Sequence, residues 1–210
     1  MNIPYYRIPP FSTEPEAASD TLHDIIEERG ITHVIPTCEE VLHLGALWQL
    51  KPPNAQLFAP KLAELTQVHH KYNFIRLCED LGLPTPQTQL VSTPQELAFH
   101  AQDAQNLVFK PVWSRFGSQV LIKPKAPKLQ RLRPTAQNPW VAQEYVDGTE
   151  LCIYAIARAG RLVALSAYRG LVRAGVGAAV CFTPEETAPL RDFVERIVSA
   201  TNWTGQISFD

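Results

Sequence analysis

The sequence predicts an α+β protein of two small lobes, and three observations carry that reading. Helices and a cluster of short strands fill the N-terminal part, while hairpin-like strands and one amphipathic helix fill the remainder. Between them "NPWVAQEYVDGTELCIYAIA", Asn138 to Ala157, reads as two strands joined at a short Asp-Gly turn, the junction of the lobes. Two glutamates, Glu144 and Glu150, bracket that turn, although Glu is depleted in strands.

Taken in order, Glu16 to Arg29 place Ala18, Leu22, Ile25 and Ile26 at helical spacing, and Gly30 supplies the stop. "ITHVIP" is a short buried strand. Thr37 and Glu40 form a capping box that opens a helix in "TCEEVLHLGALWQL". Helix, strand and helix with tight links are the end of an α/β unit with a parallel strand. One parallel strand makes no sheet, so this segment either adds to the sheet that follows or lacks earlier strands. "KPPNAQLFAP" is a proline-rich connector. "KLAELTQVHHKYNFIRLCEDLG" gives one or two helices with Ile75, Cys78 and Leu81 on one face and Gly82 at the end. The prolines of "LPTPQTQLV" force an extended approach to a strand. Thr93, Pro94 and Glu96 open a short capped helix. Strands follow at "LVFKP", "QVLIK", "WVAQEYV", "ELCIYAIA", "RLVALSAY" and "VGAAVCF". Phe193, Val194, Ile197 and Val198 then mark an amphipathic helix, and "GQISFD" closes the chain as a strand.

Composition excludes several classes. A hydrophobic fraction of 45% and a charged fraction of 19% are ordinary for a globular protein, and 210 residues suffice for one sizeable core or two small lobes. A net charge of -2 gives no field to attract nucleic acid or an anionic membrane. No run of about 18 apolar residues predicts a membrane span, and the first residues do not read as a signal peptide. Cys38, Cys78, Cys152 and Cys181 form no Cys-x-x-Cys pair and sit among apolar neighbours, so they read as buried free thiols of a cytoplasmic protein. The adjacent His69 and His70 point about 100° apart on a helix and read as surface or capping residues.

Four features bear on chemistry. In "VFKPVWSRFGSQVLIK", Lys110 ends an apolar strand and precedes a turn of small residues. Such a loop lets backbone N–H groups approach an anion, and the lysine adds a point charge for phosphate. In the junction, alternation puts Trp140, Ala142, Glu144 and Val146 on one face and Val141, Gln143 and Tyr145 on the other. An open edge at Glu144–Val146 offers backbone groups to an adenine, and Glu150 can accept from ribose hydroxyls. Lys71 lies near a helix N-terminus, where anions are favoured. Asp210 ends the last strand and is a hard oxygen ligand suited to magnesium. For each feature taken alone, a solvated surface residue explains the sequence equally well.

Together these parts resemble the ATP-grasp superfamily from about Lys61 to Asp210. The resemblance rests on their order: Lys71 with "GLPTP", Lys110-Pro111, "SRFGSQV", "QEYV", Asp147-Gly148, Glu150 and "GQISFD". The loop is similar to that of D-alanine–D-alanine ligases, with Phe116 where those carry glutamate. "ITHVIPTCEEVLHLG" is similar to the end of the Rossmann-like domain preceding the fold in carbamoyl phosphate synthetase-like members. The resemblance implies an ATP-grasp fold after a Rossmann-like remnant: residues 1–60 as remnant and connector, 61–148 as first lobe, 149–210 as incomplete second lobe. It implies ATP and Mg²⁺, with Glu144, Tyr145 and Val146 at adenine and Glu150 at ribose. Lys71, Lys110, Ser114, Gly117 and Ser118 would hold phosphates, with Arg173, joined by Arg169, reaching them from the second lobe. Asp210 would be the metal ligand, and Arg173 and Lys110 the catalytic cations.

The implied reaction is carboxylate–amine or carboxylate–thiol ligation through an acyl phosphate, acting on small-molecule carboxylates and amines. The family's Glu-x-Asn-Pro-Arg segment and the first strands of the upstream domain are not in the sequence. This suggests an internal piece that binds nucleotide weakly and turns over little, with an exposed sheet edge that would drive association to a homodimer. A non-catalytic nucleotide-binding module and a small-molecule kinase are the alternative expectations.

Overall fold

The structure, a computed structural model, describes residues 3–114, 117, 119–174 and 178–209, with backbone alone at 173, 174 and 178. Helix α1 (Pro15–Arg29) starts with proline in its first turn and ends at Gly30, whose left-handed φ of 60° lets its N–H close the helix on Glu27 and Ile26 carbonyls. Strand β1 (His33–Val34) follows, then α2 (Glu40–Leu50) and β2 (Gln56–Leu57). Strands β1 and β2 pair in parallel as a sheet of their own, so the expected connector "KPPNAQLFAP" carries a strand. The expected Thr37–Glu40 capping box is one-sided. The Glu40 carboxylate accepts from the Thr37 and Cys38 N–H groups at 2.6 and 3.0 Å, but α2 has Glu39 at its N-cap.

Two helices, α3 (Leu62–His69) and α4 (Lys71–Asp80), break at His70. The His70 ring Nδ1 accepts the Asn73 N–H at 3.2 Å, so the imidazole caps α4. Strand β3 (Thr88–Val91) leads to α5 (Pro94–His100), which opens with the expected Thr93–Glu96 capping box, and a 3-10 turn leads to β4 (Leu107–Pro111). Strand β5 (Leu121–Ile122) is shorter than expected, and a one-turn helix α6 (Ala126–Leu129) follows that the sequence reading does not contain. Then come β6 (Trp140–Glu144), β7 (Cys152–Arg158), β8 (Arg161–Ala174), β9 (Ala178–Glu185), α7 (Arg191–Ala200) and β10 (Gly205–Phe209).

The strands form two antiparallel four-stranded sheets, β3-β6-β4-β5 and β10-β7-β8-β9. Strands β6 and β7 therefore lie in different sheets, and the Asp-Gly segment between them is a link between sheets. The first sheet packs Phe109, Ala142, Trp140 and Val91 against Leu97, Ala104 and Leu129 of the helical turns beside it. The second packs Ile153, Ala155, Ala157 and Ile207 against Val194, Val198 and Trp203, and Leu65 of α3 joins that core. Helix α4 packs with α7 through Phe74, Cys78, Phe193 and Ile197. Among the cysteines only Cys78 is buried; Cys38, just before α2, and Cys181, on β9, are exposed rather than buried as expected. None of the four cysteines is in a disulfide. Among the described residues no helix is long and apolar enough to cross a membrane.

Gly205 shows how closely the parts are fitted. Its φ is +121°, and an added Cβ would meet Ala59 Cα at 2.9 Å and the Phe58 carbonyl at 3.0 Å. Gly205→Ala is expected to lower the unfolding free energy by about 1–3 kcal/mol in urea denaturation.

A second expectation concerns pH. Burial foremost, then the Lys71 charge, holds His69 below the ordinary imidazole value; burial is also the main cause for His70, with Lys71 adding to it. Imidazoles that stay neutral in the fold bind fewer protons than in the unfolded chain. Their contribution is whole above the unfolded value of about 6.5 and is lost as pH falls through it towards the folded value. Urea stability should therefore fall between about pH 7 and about pH 5, and less steeply in His70→Asn, whose cap does not titrate.

Candidate functional site

Lys71 opens α4 and extends its ammonium to the loop that leaves β4. Its Nζ donates to the Ser114 carbonyl at 2.8 Å and to the Val112 carbonyl at 3.3 Å. Trp113, between those carbonyls, lies against both imidazoles of the α3–α4 break, with ring centroids 5.8 Å from His69 and 5.0 Å from His70. The Ser114 hydroxyl donates back to the Pro111 carbonyl at 3.2 Å. Gly117, at φ +63°, has open space where a Cβ would stand, and its carbonyl accepts the Val120 N–H at 3.2 Å. The small-residue loop is thus rooted at its start on the beginning of α4. Ser118, also expected to hold phosphate, lies outside the described residues, as do Arg115 and Phe116.

Lys110 stands on the face of the first sheet opposite the Phe109 core, because successive residues of a strand alternate. Its Nζ donates to Gln143 Oε1 at 2.7 Å, Gln143 Nε2 donates to the Thr88 hydroxyl at 2.8 Å, and that hydroxyl donates to the Pro86 carbonyl at 2.9 Å. Strand β4 thus carries Lys110 just before the Val112 and Ser114 carbonyls that Lys71 holds.

The expected adenine edge is narrower than alternation suggests. Strand β6 is paired on both sides, by β3 and by β4. The Glu144 N–H donates to the Gln87 carbonyl at 2.8 Å and the Tyr145 N–H to the Asn106 carbonyl at 2.9 Å. The Gln87 N–H turns to the Glu144 carboxylate at 3.2 Å. Past Tyr145 the pairing ends, and Val146 is 63% exposed. The open backbone therefore starts at Val146. Lys123, in a left-handed conformation at φ 44°, sets its Nζ 3.9 Å from the Tyr145 ring centroid. Glu150 is exposed, just before β7.

From the second sheet, Arg169 pairs with Glu185 at 3.1 Å. The Arg173 backbone lies opposite Ala179, and its side chain, like Asp210, is outside the described residues. Tyr154 donates to Gln206 Oε1 at 2.7 Å, and Gln206 Nε2 donates to the Pro36 carbonyl. Beside them a cavity of about 310 Å³ is lined by Thr37, Cys38, Glu39, His69, Tyr154 and Ser208, among others. Among the described residues no three His, Cys, Asp or Glu side chains gather as a metal site.

Sequence reasoning missed Gln143, Thr88 and Lys123. Gln143 and Tyr145 were placed on a common face, but which β4 and β3 residues stood beside them depends on a register that no single strand reveals.

No curated protein sequence matches this chain significantly. The ATP-grasp domain profile matches residues 68–205. Among solved structures, an L-amino acid ligase from Bacillus licheniformis is 17% identical with a TM-score of 0.69, over 95% of this chain and 50% of that one. The biotin carboxylase domain of Hydrogenobacter thermophilus 2-oxoglutarate carboxylase, solved with MgADP and bicarbonate, is 12% identical with a TM-score of 0.69, over 90% and 47%. A D-alanine–D-alanine ligase from Bacillus anthracis complexed with ATP is 16% identical with a TM-score of 0.56, over 88% and 65%. The chain spans about half the length of the first two. The matched profile covers more than half of the chain and takes in Lys71, Lys110, the loop and the Glu144–Glu150 link, so this chain belongs to the ATP-grasp family.

Proposed function

We propose that the chain carries the nucleotide site of an ATP-dependent ligase that joins a small-molecule carboxylate to an amine or thiol. The observation that carries this reading is that Lys71 donates to the Val112 and Ser114 carbonyls, in the small-residue loop that directly follows the strand carrying Lys110. In the reaction a carboxylate oxygen attacks the γ-phosphorus of ATP. The bridging P–O bond to the β-phosphate breaks, and ADP leaves. The amine nitrogen then attacks the acyl carbon, phosphate departs with the C–O bond, and the nitrogen gives up a proton. The chain's part is positioning and charge neutralisation.

Lys110 and Lys71, with Ser114, Gly117 and Ser118, are assigned to the phosphates, and Arg173 to the same group from the second sheet. The Glu144–Tyr145–Val146 backbone is assigned to adenine, with the Val146 N–H as the donor beyond the paired strand, and Glu150 to ribose. ATP enters as its magnesium complex, and Asp210 is the carboxylate assigned to that ion; no step is routed through it. The 310 Å³ cavity between the start of α2 and the second sheet is assigned to the small-molecule substrate. Residues 1–60, 61–148 and 149–210 are read as a Rossmann-like remnant, first lobe and second lobe. Four cysteines outside any disulfide support a cytoplasmic setting.

The second reading is a nucleotide-binding module without turnover. Binding separates both from a chain with no nucleotide site. Mg-ATP at 100 times its dissociation constant should stabilise wild type by about 2.7 kcal/mol, and Lys110→Ala should remove most of the melting shift. An unshifted wild type would reject the nucleotide site. In the intact protein, ADP release that needs a carboxylate and rises with an added amine marks a ligase. Release indifferent to the amine marks a kinase, and none at all marks the module.

A further inference from the structure

Charge is unevenly spread along this chain. From Ala104 to Gln143 the sequence holds no acidic residue, although the whole has a net charge of -2. Lys123, Lys125, Lys128, Arg131 and Arg133 of that stretch lie between β5 and β6, and all are exposed. Among the described residues none of these cations is in an ion pair. The segment is fixed on the first sheet. Leu129 is buried in that core, Pro134 is also buried, and the Arg133 guanidinium donates to the Leu132 carbonyl at 2.8 Å. Pro124, Pro127 and Pro134 restrict its backbone further. A cationic ridge that is already ordered loses little entropy when it docks.

The opposite sign gathers beside an apolar groove in another part of the molecule. A groove of about 460 Å³ runs between α1 and α2, lined by Phe11, Glu16, Asp20, His43, Leu47 and Leu50, among others. The Phe11 and His43 rings stack there with centroids 6.0 Å apart, and Leu50 is 85% exposed. Along α1, Glu16, Asp20, Asp24 and Glu27 recur at helical spacing on one face, and all four are exposed. The apolar cluster that joins α1 to α2 has no residue in common with the first-sheet core, so ridge and groove belong to different bodies of one chain.

We propose that the groove takes the cationic ridge of a second copy of this chain. Lys125, Lys128 and Arg131 meet the α1 carboxylates, and the exposed Ala126 and Pro127 cover the apolar walls. Two such contacts related by a twofold axis close a dimer. Charge complementarity selects this occupant. Two copies of net charge -2 repel little at long range, whereas ridge and groove attract at close range. A nucleic acid would satisfy the ridge alone and would be repelled by α1 and by the chain as a whole. The contact is independent of any nucleotide bound at the loop after β4.

The test is sedimentation velocity of the full chain. A dimer is expected at about 50 mM salt, with association weakened about tenfold or more at about 500 mM, where the Debye length is only about 4 Å. One variant reverses the ridge (Lys125→Glu, Lys128→Glu and Arg131→Glu), and another reverses the helix (Glu16→Lys, Asp24→Lys and Glu27→Lys). Each alone is expected to be monomeric. Mixed, they are expected to dimerise again, because each offers the sign that the other lacks. Leu50→Ser leaves the charge unchanged and is expected to weaken association roughly threefold to tenfold; wild-type affinity in it overturns the seating in the groove. Association that ignores salt, survives either reversal or is not restored by mixing overturns the proposal. If a reversed chain does not fold, Lys128→Glu and Glu27→Lys alone take its place, each expected to weaken association roughly threefold, and unchanged affinity in both overturns it. A wild type that stays monomeric at about 100 μM in low salt overturns it as well, and binding of a DNA oligonucleotide in that case assigns the ridge to a polyanion.

Discussion

Lys71 reaches from one packed body to another, and the arrangement of the site depends on that reach. Helix α4 is held by the apolar cluster of Phe74, Cys78, Phe193 and Ile197, which also contains α7. The first sheet has a separate core around Phe109, Trp140 and Leu97. The two clusters have no residue in common. Two hydrogen bonds from the Lys71 ammonium, to the Val112 and Ser114 carbonyls, bind the loop of one body to the first turn of the other. Bonds from a charged donor are among the stronger ones, and half-burial shields them from bulk water. Trp113 between two imidazoles adds contact area at the same place. The loop after β4 is therefore placed by α4 as much as by its own strand.

Covalent geometry imposes the second constraint. Strand β6 is saturated on both flanks through Glu144 and Tyr145, and the chain then has to leave the first sheet to reach β7 in the second. Between Tyr145 and Cys152 the link belongs to neither sheet. Asp147 and Gly148 suit such a path because both tolerate turn conformations. This answers why glutamates flank the turn. Glu144 closes the first sheet by accepting the Gln87 N–H, and Glu150 precedes β7 on the exposed link. The first of these carboxylates has a structural duty in addition to any contact with nucleotide.

Much of this was legible in the sequence where local chemistry decides structure. Strand β4 runs over the expected Leu107–Pro111, since an apolar run that ends in Lys-Pro leaves little choice. The Thr93–Glu96 box and the Gly30 stop appear as read, because caps are contacts within one turn. Errors fall where distant segments decide. Strand β2 exists only because β1 lies beside Gln56 and Leu57, and two residues between prolines carry no periodicity. Cys38 and Cys181 sit in apolar sequence yet are exposed, since burial depends on which strand covers which. Lys71 and Lys110 could be singled out as cations, but not their partners. Gln143 is thirty-three positions from Lys110 in sequence and fifty-five from Thr88, and only the order β3-β6-β4 makes them neighbours.

The N-terminal segment is joined to the second sheet more tightly than to the first. Val41, Leu42 and Ala59 pack on the core of the second sheet with Leu65 of α3. Gly205 presses on Phe58 and Ala59, and Gln206 ties Tyr154 to the Pro36 carbonyl. A cavity enclosed by these parts keeps its shape as long as the second core is intact, whatever the first sheet does. Lys110 and Gln143 belong to the first sheet, and the cavity walls at Thr37, Tyr154 and Ser208 belong to the other body. Lys110 and the cavity thus rest on separate cores. Lys71, the Trp113 contacts with His69 and His70, and the continuous β6–β7 link join them. A change in either core alters one part directly and reaches the other through these contacts.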